Sequence, residues 1–389
     1  MRRHNLALIL GEVHRDGALT RAELTARLGV SRSTVGALVN DLVDLGLVEE
    51  RVPTGGTRAG RPSHVVMPRL GGPYVIAVDV AVHHLTIAAV GLGGDLLARR
   101  TVPIEGDIGA SHPAAVAQEI IAAIPELRAQ ARLKAPPIGL GVSVPGTIDR
   151  HNGVVGLAPN LGWRNAPFRA QLAATAGADL PVFVGNDADL SVLAEHIRGR
   201  ARGCNDVVFL IGRTGVGAGI IANGVPLRGH DGHAGEIGHT VVDAAGPACH
   251  CGKHGCLEAY VGDLALLDLT GVDDVDRIDQ VFAAARAGDD TALKAVRTVA
   301  GSLGRAVATL VNTLNPERVV LGGSFAEVLD LAREEVETSL GVYVLDAPGE
   351  TVLLDRPALG ADSALLGAAE IAFAQLLADP LSGQSLAAR

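Results

Sequence analysis

One supersecondary pattern occurs twice in this chain, and few folds accommodate such a repeat. From Tyr74 the chain reads YVIAVDVAVHHLTIAAVGLGGDLLARR, and from Asp206 it reads DVVFLIGRTGVGAGIIANGVPL. Each run has the order strand, turn, strand, glycine turn and strand. Two copies of one such unit predict a duplicated α/β body whose two lobes enclose a cleft.

The composition favours a large interior built from small aliphatic side chains. Of the 389 residues, 48% are hydrophobic and only 3% are aromatic, so Ala, Val, Leu and Ile must supply the core. Such a core suits buried parallel strands flanked by Ala-rich helices. Because no uninterrupted apolar run reaches the roughly 18 to 20 residues that cross a bilayer, we expect a cytoplasmic protein without a membrane span.

The length predicts two or three domains. We place them at residues 1–69, 73–187 and 188–361, and expect a C-terminal helix over 362–377 to rejoin the first lobe. Residues 1–69, here called the head, hold ten Arg and seven Asp or Glu, a net charge of +3, whereas the remaining body carries −13. A basic head on an acidic body indicates a nucleic-acid-binding module joined to a domain with another task.

The head has the pattern of a winged helix-turn-helix. A short amphipathic helix is followed by a second one, which begins at a capping box formed by Thr20 and Glu23. After a turn, Ser31 is placed to cap a third helix that extends to about Leu45. A strand over 46–51 and the segment TGGTRAGRP then resemble a wing. The alternative is a small helical domain with a solvated basic loop.

The candidate DNA contacts lie on the third helix and on the wing. Small hydroxyls and an Arg at the start of a recognition helix can reach phosphates and base edges in a major groove, and a Gly-rich loop with two Arg can enter a minor groove. The predicted contacts are Ser31, Arg32, Ser33, Thr34, Asn40, Arg58 and Arg61.

A dense cysteine cluster predicts a metal site. Cys249, Cys251 and Cys256 stand within eight positions, and His239 precedes them. Three thiolates and one imidazole fill a tetrahedral shell around Zn²⁺ without an open position, which makes the metal structural. The spacing alone does not select the imidazole, because several histidines compete for it: His230, His233, His250 and His254. Three reduced cysteines in a loop are the alternative, and the isolated Cys204 reads as a small buried residue.

Carboxylates and amides in the same region suit carbohydrate recognition, because planar polar groups can take two hydroxyls at once. Asn186 and Asp187 follow a strand, Glu236 precedes the candidate His ligand, Glu258 follows the last cysteine, and Asn160 lies in the loop APNLGW. Each residue by itself is more often solvated or a helix cap, and Asp187 could simply cap the next helix.

These motifs together resemble the ROK family of repressors and sugar kinases over essentially the whole chain. The resemblance implies an actin-like, ribonuclease H-like body of two lobes, the fold of the family's sugar kinases, behind the winged head. It selects His239 as the fourth zinc ligand, alongside Cys249, Cys251 and Cys256. It also implies a set of sugar contacts: Asn160, Asn186, Asp187, Glu236, His239 and Glu258. In a kinase, Asp187 would be the general base.

The nucleotide side departs from the pattern of the family's kinases. Their first strand turn reads Asp-x-Gly-Gly-Thr, whereas here Asp79 is followed by Val80-Ala81-Val82-His83-His84. Arg213 stands in the second phosphate loop where kinases prefer a small residue, although Gly322-Gly323-Ser324 resembles the adenosine-side turn. Since phosphoryl transfer needs a close backbone cradle for the triphosphate, we predict a sugar-responsive repressor without kinase activity. The alternative is an ATP-dependent sugar kinase with a DNA-binding head.

The predicted partners are operator DNA and a sugar effector. We expect a homodimer, or a dimer of dimers, that places two heads on half-sites of a palindromic operator. Sugar binding would close the lobes and change the operator affinity.

Overall fold

The computed structural model describes residues 1–52, 64–104, 112–272, 274, 277–349 and 351–382. Its elements are numbered here in chain order, and short 3₁₀ helices are named by their residues.

The head is a three-helix domain with a small sheet. Its helices are α1 (Arg2–Asp16), α2 (Arg21–Leu28) and α3 (Arg32–Asp44), and its strands are β1 (Leu19–Thr20), β2 (Val48–Arg51) and β3 (Val65–Pro68) in the order β1-β3-β2. Both predicted caps are present: Thr20 and Glu23 form a capping box at α2, and the Ser31 hydroxyl accepts from the Thr34 N–H at α3. These caps satisfy helix N–H groups that have no partner within the helix.

The first lobe of the body is built on a five-stranded sheet, with a second, smaller sheet beside it. Its strands and helices are β4 (Tyr74–Val80), β5 (His84–Gly91), β6 (Leu96–Pro103), α4 (Pro113–Gln130), β7 (Leu140–Val144), β8 (Thr147–Asp149), β9 (Val154–Ala158), β10 (Trp163–Ala166), α5 (Phe168–Ala176) and β11 (Val182–Asn186).

The remaining elements complete the second lobe and the C-terminus. They are α6 (Asp187–Arg198), β12 (Val207–Gly212), β13 (Val216–Ala222), β14 (Val225–Pro226), α7 (Glu258–Val261), α8 (Asp263–Thr270), α9 (Ile278–Arg286), α10 (Asp290–Leu314), β15 (Arg318–Gly323), α11 (Ser324–Tyr343), α12 (Asp346–Gly349), β16 (Leu353–Asp355) and α13 (Ser363–Ala378).

The two repeated segments form the same structure in each lobe. The first sheet has the order β11-β7-β4-β5-β6, with β4, β5 and β6 antiparallel and β7 and β11 parallel to β4. The second sheet has the order β14-β13-β12-β15-β16, in which β12 and β13 are antiparallel and β15 and β16 continue in parallel. The repeat therefore predicts the duplicated topology correctly.

The segment between β7 and α5 forms a small sheet of its own. Strands β8, β9 and β10 form a three-stranded antiparallel sheet. Trp163 on β10 is buried and its ring packs on Phe168, with ring centroids 4.7 Å apart. These strands have three to five residues each, too few for a clear hydrophobic alternation, so packing determines them.

Helix α13 lies in the core. It packs on β4 and β7 of the first sheet and on α6, and a Cβ added to Gly141 would stand 1.8 Å from the carbonyl oxygen of Ala368. Residues 360–378 reach the length and mean hydropathy of a membrane span although Asp362 and Glu370 interrupt the apolar run, and 61% of the segment is buried inside the protein. Its apolar character is that of a core helix.

The head and the body share one apolar cluster. Leu6, Ile9 and Leu10 of α1 belong to the same cluster of buried side chains as Leu365 and Phe373 of α13. The head therefore packs on the C-terminal helix of the body. Because the contact is closely packed, a displacement of that helix would also displace α1.

Candidate functional site

A cavity of about 470 Å³ lies in the cleft between the two lobes, next to the ends of β4, β11 and β12. Ligand sites of α/β proteins commonly lie beyond the carboxyl ends of strands. Polar side chains from both lobes line this cavity: Asp79, Asn160, Asn186, Asp187, Asp189, Arg213, Glu236, His239 and Glu258. All six residues predicted to contact sugar are therefore brought together here.

Asn186 and Asp187 mark the junction of β11 and α6, and they have different tasks. Asn186 is the N-cap: its Oδ1 accepts from the N–H groups of Ala188 (2.8 Å) and Asp189 (3.1 Å), and its Nδ2 donates to the Gly146 carbonyl at 3.0 Å. The capping group is thus Asn186. Asp187 Oδ1 also accepts from the Ala188 N–H at 3.0 Å, and the Asp187 carboxylate lines the cavity. Burial raises the pKa of Asp187 from 3.8 to about 6, although Arg213 opposes the shift.

Asn160 presents an unused polar atom to the cavity. It lies in the 3₁₀ helix Pro159–Leu161, and its buried Oδ1 has no hydrogen-bond partner among the described residues. A buried carbonyl oxygen without a partner costs free energy, so it marks a place where a ligand hydroxyl would be stabilised.

Glu236 and Glu258 come from the two sides of the cysteine loop. Burial raises the pKa of Glu236, and His239 opposes that shift. Glu258 is the first residue of α7, where its Oε2 accepts from the Val216 N–H at 3.0 Å. Its Oε1 lies 3.3 Å from the Cys249 sulfur, so the carboxylate contacts both a cavity strand and the cysteine cluster.

The cluster of His239, Cys249, Cys251 and Cys256 has the dimensions of a tetrahedral metal site. One ligand atom from each residue lies within 4.8 Å of all the others. The Cys251 and Cys256 sulfurs are 3.7 Å apart, and His239 Nδ1 is 3.8 Å from the Cys249 sulfur. Zn–S bonds of about 2.3 Å in a tetrahedron place sulfurs about 3.8 Å apart. Of the competing imidazoles, His230 is solvent-exposed beside Asp231.

An ion pair across the cleft was not evident from the sequence. Asp79 is on β4 and Arg213 follows β12, so the two repeats present opposite charges to each other. The guanidinium Nη1 and Nη2 lie 3.3 and 3.2 Å from Asp79 Oδ2, while the Ser143 hydroxyl donates to Asp79 Oδ1 at 2.9 Å. Sequence reasoning noted both residues, but their pairing depends on the angle between the lobes.

Asp189 was missed altogether. It lines the cavity beside Asp187, and burial raises its pKa from 3.8 to about 7, with Arg228 opposing. Both aspartates stand in the first turn of α6. The available signal was a second acid two positions after Asp187, at the start of a helix that borders the cleft.

Four of the five candidate DNA contacts of the third helix lie at the start of α3, and Asn40 lies about two turns further along it. Ser31, Arg32 and Ser33 are exposed and Thr34 is half-buried, although the Ser31 hydroxyl is engaged in capping. Asn40 is exposed and its Oδ1 accepts from Arg21 at 3.0 Å. Arg58 and Arg61 lie outside the described residues.

Two family models match this chain in succession. The MarR family model matches residues 7–59, within the head, and the ROK family model matches residues 75–375. The winged head and the two-lobed body of the structure correspond to these two matches.

Relatives include both regulators and kinases. The xylose repressor of Bacillus subtilis (strain 168) is 28% identical over 371 residues, which cover 94% of this chain and 94% of the relative. The glucokinase of Halalkalibacterium halodurans is 33% identical over 312 residues, which cover 76% of this chain and 93% of the relative. The repressor match extends through the head, whereas the glucokinase match covers a smaller share of the chain.

The fold is also found among solved structures. A ROK family transcriptional regulator, a homologue of the E. coli MLC protein, superposes with a TM-score of 0.79 at 24% identity, over 100% of this chain and 99% of the other. That likeness confirms the predicted fold of a winged helix-turn-helix followed by an actin-like body. Because the ROK family model spans more than half of its length, this chain belongs to the ROK family.

Proposed function

We propose that the protein is a sugar-responsive transcriptional repressor, which binds operator DNA through its head and a sugar effector in the cleft without phosphorylating it. The Asp79–Arg213 ion pair carries this proposal. It fills part of the cavity with a guanidinium side chain where the family's kinases have small residues, and it engages the carboxylate of the first strand turn.

The sugar is proposed to lie among Asn160, Asp187, Glu236, His239 and Glu258. The unpartnered Asn160 Oδ1, the buried Asp187 carboxylate and the Glu236 and Glu258 carboxylates that line the cavity offer acceptors for ligand hydroxyls. Asn186 retains one amide hydrogen for the sugar, because the other donates to Gly146. Its larger contribution is to hold Asp187 at the start of α6.

The kinase alternative is favoured by one observation, the raised pKa of Asp187, since a general base works best with a pKa near the operating pH. The nucleotide side opposes it. Val82, His83 and His84 line the cavity where the kinase turn has glycines, and side chains there prevent close backbone approach to a phosphate.

We propose that the cysteine cluster holds a structural Zn²⁺ through His239, Cys249, Cys251 and Cys256. When bound, such an ion crosslinks the loop and supplies no reaction step. The spacing of the four ligand atoms supports this. With Nδ1 directed to the cluster, His239 keeps Nε2 for a ligand hydroxyl.

The head is proposed to bind DNA through Ser31, Arg32, Ser33, Thr34 and Asn40, with Arg58 and Arg61 on the wing. A cytoplasmic homodimer, or a dimer of dimers, would place two heads on half-sites about 34 to 36 Å apart. This assembly is proposed from the symmetry of operators.

Two assays on the full-length protein test the cleft assignment. Thermal-shift screening against hexoses, pentoses and N-acetylhexosamines should find a stabilising sugar, because a ligand at 100 times its dissociation constant adds about 2.7 kcal/mol. A coupled ATP assay with the same panel should show no turnover. A rate above about 1 per second, ordinary for a kinase, would overturn the proposal.

A further inference from the structure

A buried polar cluster joins the head to the body at one end of α6. We call it the head junction and define it as His14 of α1, Arg198 of α6, Glu370 of α13 and Gly93 of the β5–β6 turn. The side chains of His14 and Glu370 are 3% and 4% exposed, and that of Arg198 is 10% exposed. Buried charged groups are retained only with partners, so these contacts are specific.

Each of the four residues in the head junction contacts at least two of the other three. Arg198 Nε donates to Glu370 Oε1 at 2.6 Å, and its Nη1 donates to the carbonyls of His14 (2.9 Å) and Gly93 (2.6 Å). His14 Nε2 lies 2.9 Å from Glu370 Oε2, and its Nδ1 accepts from the Gly93 N–H at 3.1 Å. Burial would raise the pKa of Glu370, but bonds and charge from His14 and Arg198 outweigh it and lower that pKa.

The β5–β6 turn has space for the Arg198 side chain only because it contains glycine. Gly94 has φ of +89°, and a Cβ there would lie 2.8 Å from the guanidinium. The side chain therefore fills a place that only glycine leaves open. A single guanidinium thus touches the head, the first sheet and the C-terminal helix.

The other end of the same helix is in the cleft. Helix α6 begins at Asp187, capped by Asn186, and ends at Arg198. Twelve residues at about 1.5 Å each span about 18 Å. Between its ends α6 packs closely on both lobes: a Cβ on Gly219 of β13 would stand 2.2 Å from the Ala188 carbonyl oxygen, and one on Gly367 of α13 would stand 2.0 Å from that of Leu190. Because the backbones are in direct contact, α6 cannot move independently of the elements beside it. A change in the angle between the lobes therefore reorients α6.

A second contact lies just beyond the helix. Arg202 pairs with Asp16, the last residue of α1, and Asp16 also pairs with Arg27 of α2. Arg200, between the two coupling arginines, is half exposed and contacts Asp355 of the second lobe instead. Arg198 and Arg202, at and just beyond the end of α6, thus contact the head, whereas Arg200 between them contacts the second lobe.

We propose that α6 and the head junction carry the allosteric coupling between the sugar cleft and the DNA-binding head, with Arg198 as the positioning residue. The inference rests on the proposed function. Sugar contacts at Asp187 bias the orientation of α6, and Arg198 transmits that orientation to α1, whose helix supports α2 and α3.

The test compares variants for the ratio of operator dissociation constants with and without sugar. Removing Arg198 alone would strand a buried carboxylate, so the variant is Arg198→Gln with Glu370→Gln, and Arg200→Gln is the matched control. The sugar is whichever of D-xylose, D-glucose and N-acetylglucosamine stabilises the wild type most. The DNA is a duplex that the wild type selects from a randomised pool.

We expect a ratio of about 5-fold or more in the wild type and the control, and less than twofold in the double variant, whose sugar affinity stays within about twofold. An unchanged ratio in the folded double variant overturns the inference. If the wild type itself fails to bind sugar or DNA, the proposed function fails instead.

Two further measurements keep the inference testable if the double variant does not fold. Arg202→Gln, at an exposed position, should lower the ratio partially while Arg200→Gln does not. Hydrogen exchange of the wild type should show that sugar changes protection of the Gly93 amide, which is bonded to His14. No change at Gly93 and no effect of Arg202→Gln would contradict the proposal.

Discussion

At the scale of single residues, the cleft is lined by carboxyl groups whose ionised form is disfavoured by burial. Burial raises the pKa of Asp187 and Asp189, and also that of Asp263, which lines the same cavity. Groups with shifted pKa values cluster at functional sites, because burial suited to a ligand is unfavourable without one. The free energy of unfolding should therefore respond to pH at these positions.

Asp187→Asn is predicted to stabilise the sugar-free protein at alkaline pH. Burial raises the pKa of Asp187 from its usual 3.8 to about 6 in the folded protein, so the folded state holds the proton more tightly. Well below pH 3.8 the carboxyl is protonated in both states and its ionisation carries no penalty for folding. The penalty grows as pH rises from about 3.8 to about 6 and is then constant, about 1 to 3 kcal/mol. An amide avoids it. Denaturant melts of wild type and variant at pH 4 and pH 8 measure the difference.

The control for this experiment is Asp95→Asn, on the exposed β5–β6 turn. It should match the wild type at both pH values. A variant at Asp187 that is less stable than the wild type at pH 8 would contradict the prediction, because it would mean that the ionised carboxylate is stabilising.

At the scale of elements, the cysteine loop and the recognition helix carry separate tasks. The loop holds Glu236 and Glu258 at a spacing that the proposed zinc crosslink would fix, while α3 holds its polar end away from the core. Each can be perturbed without unfolding the other, since the cysteine loop belongs to the body and α3 belongs to the head.

Cys256→Ser is predicted to lose bound zinc and to weaken sugar binding. Hydrogen bonds to charged groups contribute about 1.5 to 3 kcal/mol, so misplacing Glu258 should lower sugar affinity roughly 10- to 100-fold. Elemental analysis and calorimetry measure the two effects. Cys204→Ser, outside the cluster, is the control and should keep both metal and affinity; a zinc-free variant with wild-type affinity would contradict the link.

Arg32→Ala is predicted to weaken operator binding without changing sugar affinity. Arg32 is exposed at the start of α3, and a lost phosphate contact lowers the salt dependence of binding by about one ion. Arg164→Ala removes the same charge from an exposed position on β10 of the body and serves as control. Equal losses in both variants would show that only net charge matters.

The sequence predicts elements better than it predicts contacts between them. The capping box at Thr20 and the duplicated strands follow from local chemistry and are confirmed. Asn186 is predicted to contact the sugar, and the sequence did not show that its side-chain oxygen also caps α6. The Asp79–Arg213 pair joins residues 134 positions apart, and the head junction joins four separate elements. Such contacts depend on how the lobes and the head pack, and no local pattern encodes that.

At the scale of the whole molecule, the chain is one connected structure and not two modules on a linker. The head shares an apolar cluster with α13, and α6 reaches from the cleft to α1. A ligand can shift an equilibrium only by its differential affinity for the two states, so the lobes and the head must change together for sugar to control DNA binding.

The most direct test measures operator affinity of the full-length wild type by fluorescence anisotropy, with and without saturating sugar. The account predicts a change of about 5-fold or more, and no change for Glu258→Gln, which should still bind the operator. An operator affinity that is identical with and without a sugar proven to occupy the cleft would contradict it.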